Sequence, residues 1–327
     1  MNDMTLKFIN VGYGEAILLQ CPDSRFAGGT FTMLIDGGSA EASEFADCSS
    51  GRIPLWAYAS QAGLDHIDLM VSTHTHEDHI CGMLPVAQEL CPAQLWQSLP
   101  GTYYRETREL DVTLAQNPSQ DKFLHALNAY RTLCGTVIQH GGTIRTVQAG
   151  DSGELCEGLT YRVLAPSEVK AAELQGFTRE LYAEADNSAF LQKLDALDAK
   201  MNNYSVMLLL EYRGTRILLP GDTNCMGYGE IDPAALGADI FKIGHHGQKD
   251  GAAPEQLQAI QPKAIVCCAS SDRRYNSAHP ELMQSLLVQG ISLWFSDCPP
   301  VPGVTVPPHR ELIFTIGENG AFNAEYR

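Results

Sequence analysis

One short segment of the chain combines four side chains that can bind metal ions. His74, His76, Asp78 and His79 fall within six positions, directly after an apolar run at residues 67–71 that predicts a buried strand. Imidazole and carboxylate groups are ligands for zinc, manganese or iron. Because residues i and i+2 at a strand end point the same way, His74 and His76 are predicted to bind one ion. Asp78 and His79, which turn into the next helix, would then face a second ion.

Two later strand-like segments also end in groups that bind metals. The apolar stretch at residues 216–220 leads to Asp222, and the stretch at residues 239–243 leads to His245 and His246. A carboxylate of this kind is what a two-metal site needs to hold its ions about 3.5–4 Å apart. Adjacent strand residues point in opposite directions, so one of the two histidines is expected to reach metal and the other to meet substrate or a ligand.

The composition of the whole chain limits the classes of protein to which it can belong. A length of 327 residues with 44% hydrophobic residues suits a globule with a sizeable core. Runs of about 18–20 apolar residues are missing, and residues 1–10 do not resemble a secretory signal, so we expect a soluble, cytoplasmic protein without a membrane span. The ten cysteines form no C-x-x-C pair and are expected to be reduced. A formal charge of −17 disfavours long DNA or RNA as a substrate.

The pattern along the chain alternates strands and helices, which predicts an α/β (α+β) protein. Helices are expected near residues 54–63 and 122–133, and a strand pair near residues 144–148 and 160–164. An acidic helical stretch at residues 167–200 looks inserted. We therefore expect one domain over residues 1–327, with an insertion or lid at about 100–200 that could also be a partner surface.

The strand-end clusters, taken together, resemble the metallo-β-lactamase superfamily. Its signature H-x-H-x-D-H is matched at His74, His76, Asp78 and His79. Further segments look like the hydrolase domain of ComEC-type competence proteins, and they lie at residues 10–16, 34–38, 202–205, 218–222 and 242–247. The likeness spans nearly the whole chain except about 85–200. It implies a four-layer αββα sandwich with metal ions at the edge of the two sheets.

The resemblance also implies roles for individual residues. A pair of divalent ions, two zinc ions with manganese as the alternative, would be bridged by Asp222, with His246 as the last ligand and His245 facing the substrate. Asp78 and Asp222 would position a metal-bound hydroxide, and His245 would steady an oxygen of the substrate. Asp36, in the segment 34–38, is expected to orient a ligand imidazole.

A late loop and one pair of amides complete the candidate site. Residues 273–280 resemble a family loop near the site, so Arg273 or Arg274 is expected to pair with a phosphate and His279 to be a ligand or proton donor. Of these, Arg274 and His279 are the predicted substrate contacts. Asn202 and Asn203 stand where many superfamily members have a further metal-binding histidine, and neutral amides bind such metals weakly. Four other histidines do not belong to a cluster of possible metal ligands and are interpreted as structural: His66, His125, His140 and His309.

The predicted activity is metal-dependent hydrolysis. Phosphodiester hydrolysis ranks first because ComEC-like members are viewed as nucleases and related esterases, and the acidic charge favours a small or short substrate. Carbonyl chemistry on a lactone, thioester or β-lactam is the alternative within the enzyme class, because this fold supports both. Asn202 and Asn203 also leave open a binding module that keeps the fold without catalysis. The sequence does not indicate an oligomeric state.

Overall fold

The computed structural model of the chain describes residues 3–327. Two β-sheets pack face to face, and helices cover both outer faces. The strands are β1 (Met4–Ile9), β2 (Ile17–Pro22), β3 (Thr30–Ile35), β4 (Leu69–Val71), β5 (Gln94–Gln97), β6 (Thr143–Thr146), β7 (Ser152–Cys156), β8 (Leu159–Ala165), β9 (Met207–Tyr212), β10 (Thr215–Leu219), β11 (Ile240–Lys242), β12 (Ala264–Cys267), β13 (Ser292–Phe295), β14 (Glu311–Ile316) and β15 (Phe322–Tyr326). The predicted four-layer αββα sandwich is confirmed.

Within the described residues, the first sheet has the strand order β15-β14-β1-β2-β3-β4-β5-β6, and the second has the order β13-β12-β11-β10-β9-β8-β7. The space between the sheets is filled by apolar side chains from both, such as Phe8 and Phe314 from the first and Leu210 and Val266 from the second. All four are fully buried. Each contributes roughly 1.5–3 kcal/mol by burial, and this core fixes the two sheets against each other.

The helices are α1 (Leu55–Gln61), α2 (Glu77–Ile80), α3 (Met83–Leu90), α4 (Tyr103–Glu106), α5 (Pro118–Gln139), α6 (Glu168–Ala183), α7 (Asn187–Met201), α8 (Pro254–Ile260) and α9 (Pro280–Val288). Helices α1 to α7 lie with the first sheet, whereas α8 and α9 cover the second. The helices predicted near 54–63 and 122–133 correspond to α1 and α5, and the helical stretch 167–200 forms α6 and α7.

Helices α5 and α7 begin with clear capping signals. The Asn117 side chain accepts a hydrogen bond from the backbone of Gln120 at 3.0 Å, and Pro118 occupies the first turn of α5. The Asp186 side chain caps α7 in the same way, accepting from the backbone of Ala189 at 2.9 Å. These caps fix where the two helices start, and therefore which of their side chains reach the sheet edge.

The prediction of a strand pair near 144–148 and 160–164 is wrong. Both segments form strands, but β6 pairs with β5 in the first sheet, while β8 pairs with β7 and β9 in the second. Local composition predicts a strand without specifying its partner, and the strand nearest to β6 in sequence, β7, lies in the other sheet. Among residues 3–327, none of the helices combines the length and apolar composition that crossing a bilayer requires.

Candidate metal centre

The sheet topology brings the candidate ligands to one edge of the sandwich. Strands β3 and β4 are parallel in the first sheet, and β10, β11 and β12 are parallel in the second. Loops that follow the carboxyl ends of parallel strands meet at the same edge. Asp36 follows β3, the segment 74–79 follows β4, Asp222 follows β10, and His245 and His246 follow β11.

The turn between β1 and β2 packs against the signature segment. The backbone N–H of Glu15 donates to the Asp78 carbonyl at 3.1 Å. Gly14 has a φ of 127°, and a Cβ atom at this position would lie 2.2 Å from the same carbonyl oxygen. Only glycine fits this approach without strain, so the turn at 10–16 closes directly over the metal-binding segment.

Two histidines and two carboxylates form the first cluster. The Nε2 atom of His246 lies 2.8 Å from Oδ2 of Asp222 and 3.0 Å from Oδ2 of Asp78. The Nε2 atom of His79 lies 3.3 Å from the same Asp222 oxygen, and the two Nε2 atoms are 3.4 Å apart. All four residues offer ligand atoms within 4.8 Å of one another. The three most buried are His79, Asp222 and His246.

Neighbouring groups fix the orientation of both imidazoles in this cluster. Nδ1 of His79 lies 2.7 Å from Oδ2 of Asp36, and Nδ1 of His246 lies 2.8 Å from the Cys268 carbonyl oxygen. Because each of these partners accepts a hydrogen bond, each ring carries a proton on Nδ1. The Nε2 atoms of both rings therefore face the carboxylates of the cluster.

His74 and His76 form the second cluster beside the first. The Thr73 hydroxyl donates to Asp36 Oδ2 at 2.5 Å and lies 3.1 Å from Nδ1 of His74, which can donate to it. Nε2 of His74 then faces Nδ1 of His76 at 3.0 Å. The His74 and His79 ring centroids are 4.2 Å apart, so the two clusters adjoin. Asp36 uses its oxygens on Thr73 and His79, which suits the predicted orienting role.

The charges of the cluster shift its pKa values strongly. Burial alone would lower the pKa of His246, but Asp222 and Asp78 outweigh burial and raise it to about 9. The pKa of His79 is also raised, because Asp222, Asp78 and Asp36 outweigh its burial. The pKa of His74, in contrast, is lowered by burial and by its two histidine neighbours, His79 and His76. The first cluster therefore holds protons that a cation would displace.

The donor atoms fit divalent metal ions. Two nitrogen ligands at 2.0–2.1 Å from one tetrahedral zinc ion lie about 3.3 Å apart. The pair formed by His74 and His76, at 3.0 Å, and the pair formed by His79 and His246, at 3.4 Å, are both close to this spacing. Imidazole nitrogens with carboxylate oxygens are the ligand set that zinc and manganese accept. The assignment of these residues as ligands remains a prediction.

No family model matches the chain. A curated relative is ComE operon protein 3 of Bacillus subtilis (strain 168), which is 23% identical over 298 residues, covering 88% of this chain and 31% of that protein. The chain thus spans about a third of the length of this relative. The two facing sheets, the outer helices and the histidine signature at their edge decide the fold. The chain has the metallo-β-lactamase fold.

Solved structures with the metallo-β-lactamase fold are similar to this chain over most of its length. Zinc-bound PqqB from Methylobacterium extorquens is 12% identical, with 92% of this chain and 99% of that chain covered and a TM-score of 0.47. A diphosphatase from the PhnP family is 12% identical, with 96% and 98% covered and a TM-score of 0.44. A metallo-β-lactamase from Cronobacter sakazakii is 12% identical, with 72% and 73% covered and a TM-score of 0.36.

A cavity of about 490 Å³ opens beside the first and second clusters. Its wall includes candidate ligands on one side and residues of α5 and α7 on the other. The lining residues that can ionise or donate hydrogen bonds through their side chains are Tyr13, His76, Glu77, Asp78, Ser119, Lys122, Asp198, Asn202, Asp222, His245, Gln248 and Tyr275. Cavities of this size suit small molecules.

The side chains of His245 and His246 point to different places, as the sequence predicts, but for another physical reason. Residues 245–247 form a 3-10 turn in which both histidines have left-handed φ angles of 47° and 49°, so the alternation of an extended strand does not apply. His246 turns into the first cluster, whereas His245 lines the cavity and places Nδ1 2.8 Å from Asp250. Such strained backbone is typical of functional sites.

The late loop contributes a different residue from those predicted. Arg274 pairs with Glu44 Oε2 at 2.5 Å, and neither Arg274 nor His279 is among the residues that line the cavity. Tyr275 of the same loop does line it. Arg274 is already engaged in holding the loop against Glu44, so its predicted contact with a substrate phosphate would require this pair to break.

The two asparagines lie at the same edge, because β9 runs antiparallel to β10 and they precede its first residue. Asn202 lines the cavity, and its buried Oδ1 atom has no hydrogen-bond partner. Asn203 instead accepts a hydrogen bond from the backbone of Asn224 at 3.3 Å. The amide of Asn202 therefore faces the cavity, whereas the amide of Asn203 is engaged away from it.

Sequence reasoning missed Tyr13 and two residues that contact candidate ligands, in addition to cavity residues such as Tyr275 and Lys122. Tyr13 lines the cavity with its ring centroid 4.5 Å from that of His246, and burial and the nearby Asp78 and Asp222 raise the pKa of its phenol. Its neutral hydroxyl group can donate a hydrogen bond. The other two, Lys242 and Asp198, contact candidate ligands directly. Lys242 and Tyr13 fall in segments that carry the family resemblance, whereas Asp198 lies in the segment without it.

Proposed function

We propose that the chain is a metal-dependent hydrolase that cleaves a small or short phosphodiester. The observation that carries the proposal is the convergence of six side chains on two adjoining clusters at the wall of a cavity. The proposed ligands are His74, His76, Asp78, His79, Asp222 and His246. A bound pair of divalent ions would supply Lewis acidity and lower the pKa of water to about 7.

The residues of the chain would orient the reacting groups. Asp222 presents only Oδ2 to the cluster, since Lys242 holds Oδ1, and Asp78 presents its Oδ2 from the cavity side. His245 lines the cavity with Nδ1 donating to Asp250 and Nε2 accepting from the Gln248 amide at 3.1 Å, so a substrate oxygen that meets His245 would replace the Gln248 contact. Tyr13 can donate a hydrogen bond to a developing negative charge.

Lys122 and the proposed metal ions support an anionic substrate of limited size, because they would offset the carboxylates of the cavity wall, which are Glu77, Asp78, Asp198 and Asp222. Lys122 is the one lysine or arginine among the described residues that line it. A single cation opposite the metal clusters suits a phosphate group better than an uncharged lactone. The overall charge of −17 opposes a long polyanion, and a cavity of about 490 Å³ suits a small substrate.

The test is a screen of the purified chain, loaded with zinc or manganese, against bis-p-nitrophenyl phosphate, short oligonucleotides, lactones and nitrocefin. We expect turnover of the phosphodiesters. Turnover of lactones or nitrocefin instead would assign carbonyl chemistry, and a metal content far below one ion per chain would favour a binding module. Asp78→Asn is expected to lower turnover at least 100-fold, whereas His125→Ala, on the exposed face of α5, should leave it unchanged.

A further inference from the structure

Asp198, near the end of α7, contacts a candidate metal ligand at the wall of the cavity. Its Oδ1 atom lies 3.0 Å from Nε2 of His76. The two side chains are 25% and 21% exposed, so this contact is at the cavity wall rather than free in solvent. Asp198 belongs to the helical segment 167–200, which the sequence predicts to be a lid or a partner surface and not a part of the metal centre. The contact therefore connects this segment to the metal centre.

Helix α5 fixes the second oxygen of the same carboxylate. The hydroxyl group of Ser119 donates to Oδ2 of Asp198 at 2.9 Å. One turn further along α5, the ring of Phe123 meets the His76 ring edge to face, with centroids 5.7 Å apart. The carboxylate can therefore move little, and the imidazole is held in one plane by the phenyl ring.

This contact decides which nitrogen of His76 faces the metal cluster. A carboxylate next to Nε2 keeps a proton on that atom, which leaves the lone pair on Nδ1. Nδ1 is the atom that lies 3.0 Å from Nε2 of His74. A carboxylate that holds the far nitrogen of a ligand histidine typically contributes 10–100-fold to metal affinity.

We propose that Asp198 is a positioning residue for His76 and that α5 and α7 thereby form part of the metal centre rather than a detachable cover. This inference rests on the proposed metal site. It assigns to the helical segment a role in metal affinity. A cover without this role would affect only the access of substrate.

The experiment compares two carboxylates on the same helix. Asp195 lies one turn before Asp198 and also ties α7 to α5, by accepting from Nε2 of Gln120 at 2.9 Å, but it does not touch a candidate ligand. Asp198→Asn and Asp195→Asn are therefore matched changes, each removing one charge and keeping the side-chain shape. Zinc affinity is measured by competition with a chromophoric chelator, and the cobalt-loaded proteins are compared by absorption spectroscopy.

We expect Asp198→Asn to weaken zinc binding about 10–100-fold and to alter the cobalt spectrum, while the Tm of the metal-free protein changes no more than for Asp195→Asn. Asp195→Asn should leave zinc affinity within twofold of the original. Ser119→Ala, which frees the carboxylate, should give a smaller loss than Asp198→Asn. If Asp198→Asn binds zinc as well as the original chain, or if both variants lose affinity equally, the proposal is wrong. If the unchanged chain binds no zinc, the proposed metal site itself fails.

Discussion

Lys242 Nζ lies 3.0 Å from Oδ1 of Asp222, and both side chains are buried. The same ammonium group pairs with Glu15 and donates to the Gly221 carbonyl oxygen at 2.9 Å. Burial alone would lower the pKa of Lys242, but the two carboxylates outweigh it and raise that pKa, so the lysine stays charged. One cation therefore joins the turn after β1 to the end of β10.

Replacing this lysine should destabilise the fold. Lys242→Met leaves the buried carboxylate of Glu15 without its cation and Asp222 with only His246 and His79, and breaking a buried pair typically costs about 3–5 kcal/mol. The free energy of unfolding is measured by urea denaturation of the chelator-treated protein. Lys263→Met is the control, because its exposed pair with Asp239 should contribute less than about 1 kcal/mol. Equal losses in the two variants would contradict this account of Lys242.

Metal binding should depend on pH because it displaces protons from the first cluster. The pKa of His246 is raised to about 9 from 6.5, so this ring is protonated at neutral pH without metal. Its contribution to the stability of the metal-free fold is complete below about pH 6.5 and is lost as the pH rises through 9. Zinc affinity should accordingly rise between pH 6.5 and 9, by up to about tenfold per pH unit for each proton displaced.

Calorimetry in two buffers with different ionisation enthalpies measures the protons released. We expect at least one proton per chain at pH 7.5 and less at pH 9.5. A zinc affinity that stays constant over this range, after correction for hydrolysis of the metal, would mean that the clusters are not protonated as the structure implies.

Local patterns predicted an α/β protein and the groups at its strand ends, and the family resemblance implied the αββα sandwich that joins them. Apolar strands followed at once by His or Asp specify where a strand ends and what it carries, and the carboxyl ends of parallel strands meet at one edge. The family resemblance was also needed to place Asp222 and His246 together with His74 and His79.

Contacts between distant helices and sheets could not be read in the same way. Asp198 is one acidic residue among many in an exposed amphipathic helix, and only the packing of α7 on α5 brings it to His76. The partner of β6 was misassigned for the same reason, since pairing depends on the whole sheet. Arg274 was expected at the substrate, but its pairing with Glu44 depends on a loop more than 200 residues away in sequence.

Glu77, which lines the cavity beside Asp78, should make the metal-free fold less stable as the pH rises. Burial is the main reason that its pKa is raised to about 7 from 4.5. The folded state thus favours the protonated form, so stability is complete below about pH 4.5 and is lost as the pH approaches 7. Glu77→Gln keeps an oxygen that can accept from Ser39, as Glu77 does at 2.5 Å, but it cannot ionise.

The free energy of unfolding of the Glu77→Gln variant should exceed that of the original chain at pH 8 by at most about 3 kcal/mol, and the two should agree at pH 4.5. Urea denaturation in the presence of a chelator at both pH values measures this difference. A gain of the same size at both pH values would show that ionisation of Glu77 is not its cause.

Lys122 on α5 should determine how tightly an anionic substrate binds. Its ammonium group lies at the cavity wall, 3.8 Å from Glu41, and is 28% exposed, so it can turn toward a phosphate. Lys122→Met should raise KM for bis-p-nitrophenyl phosphate about three- to tenfold with little change in kcat, because the contact is made equally in the ground and transition states. Lys193→Met, which removes an equivalent charge from the pair with Glu184 outside the cavity, should leave KM unchanged. A fall in kcat with KM unaltered would instead place Lys122 at the reacting phosphate. Equal increases in KM for Lys122→Met and Lys193→Met would show that Lys122 acts only through the overall charge of the protein.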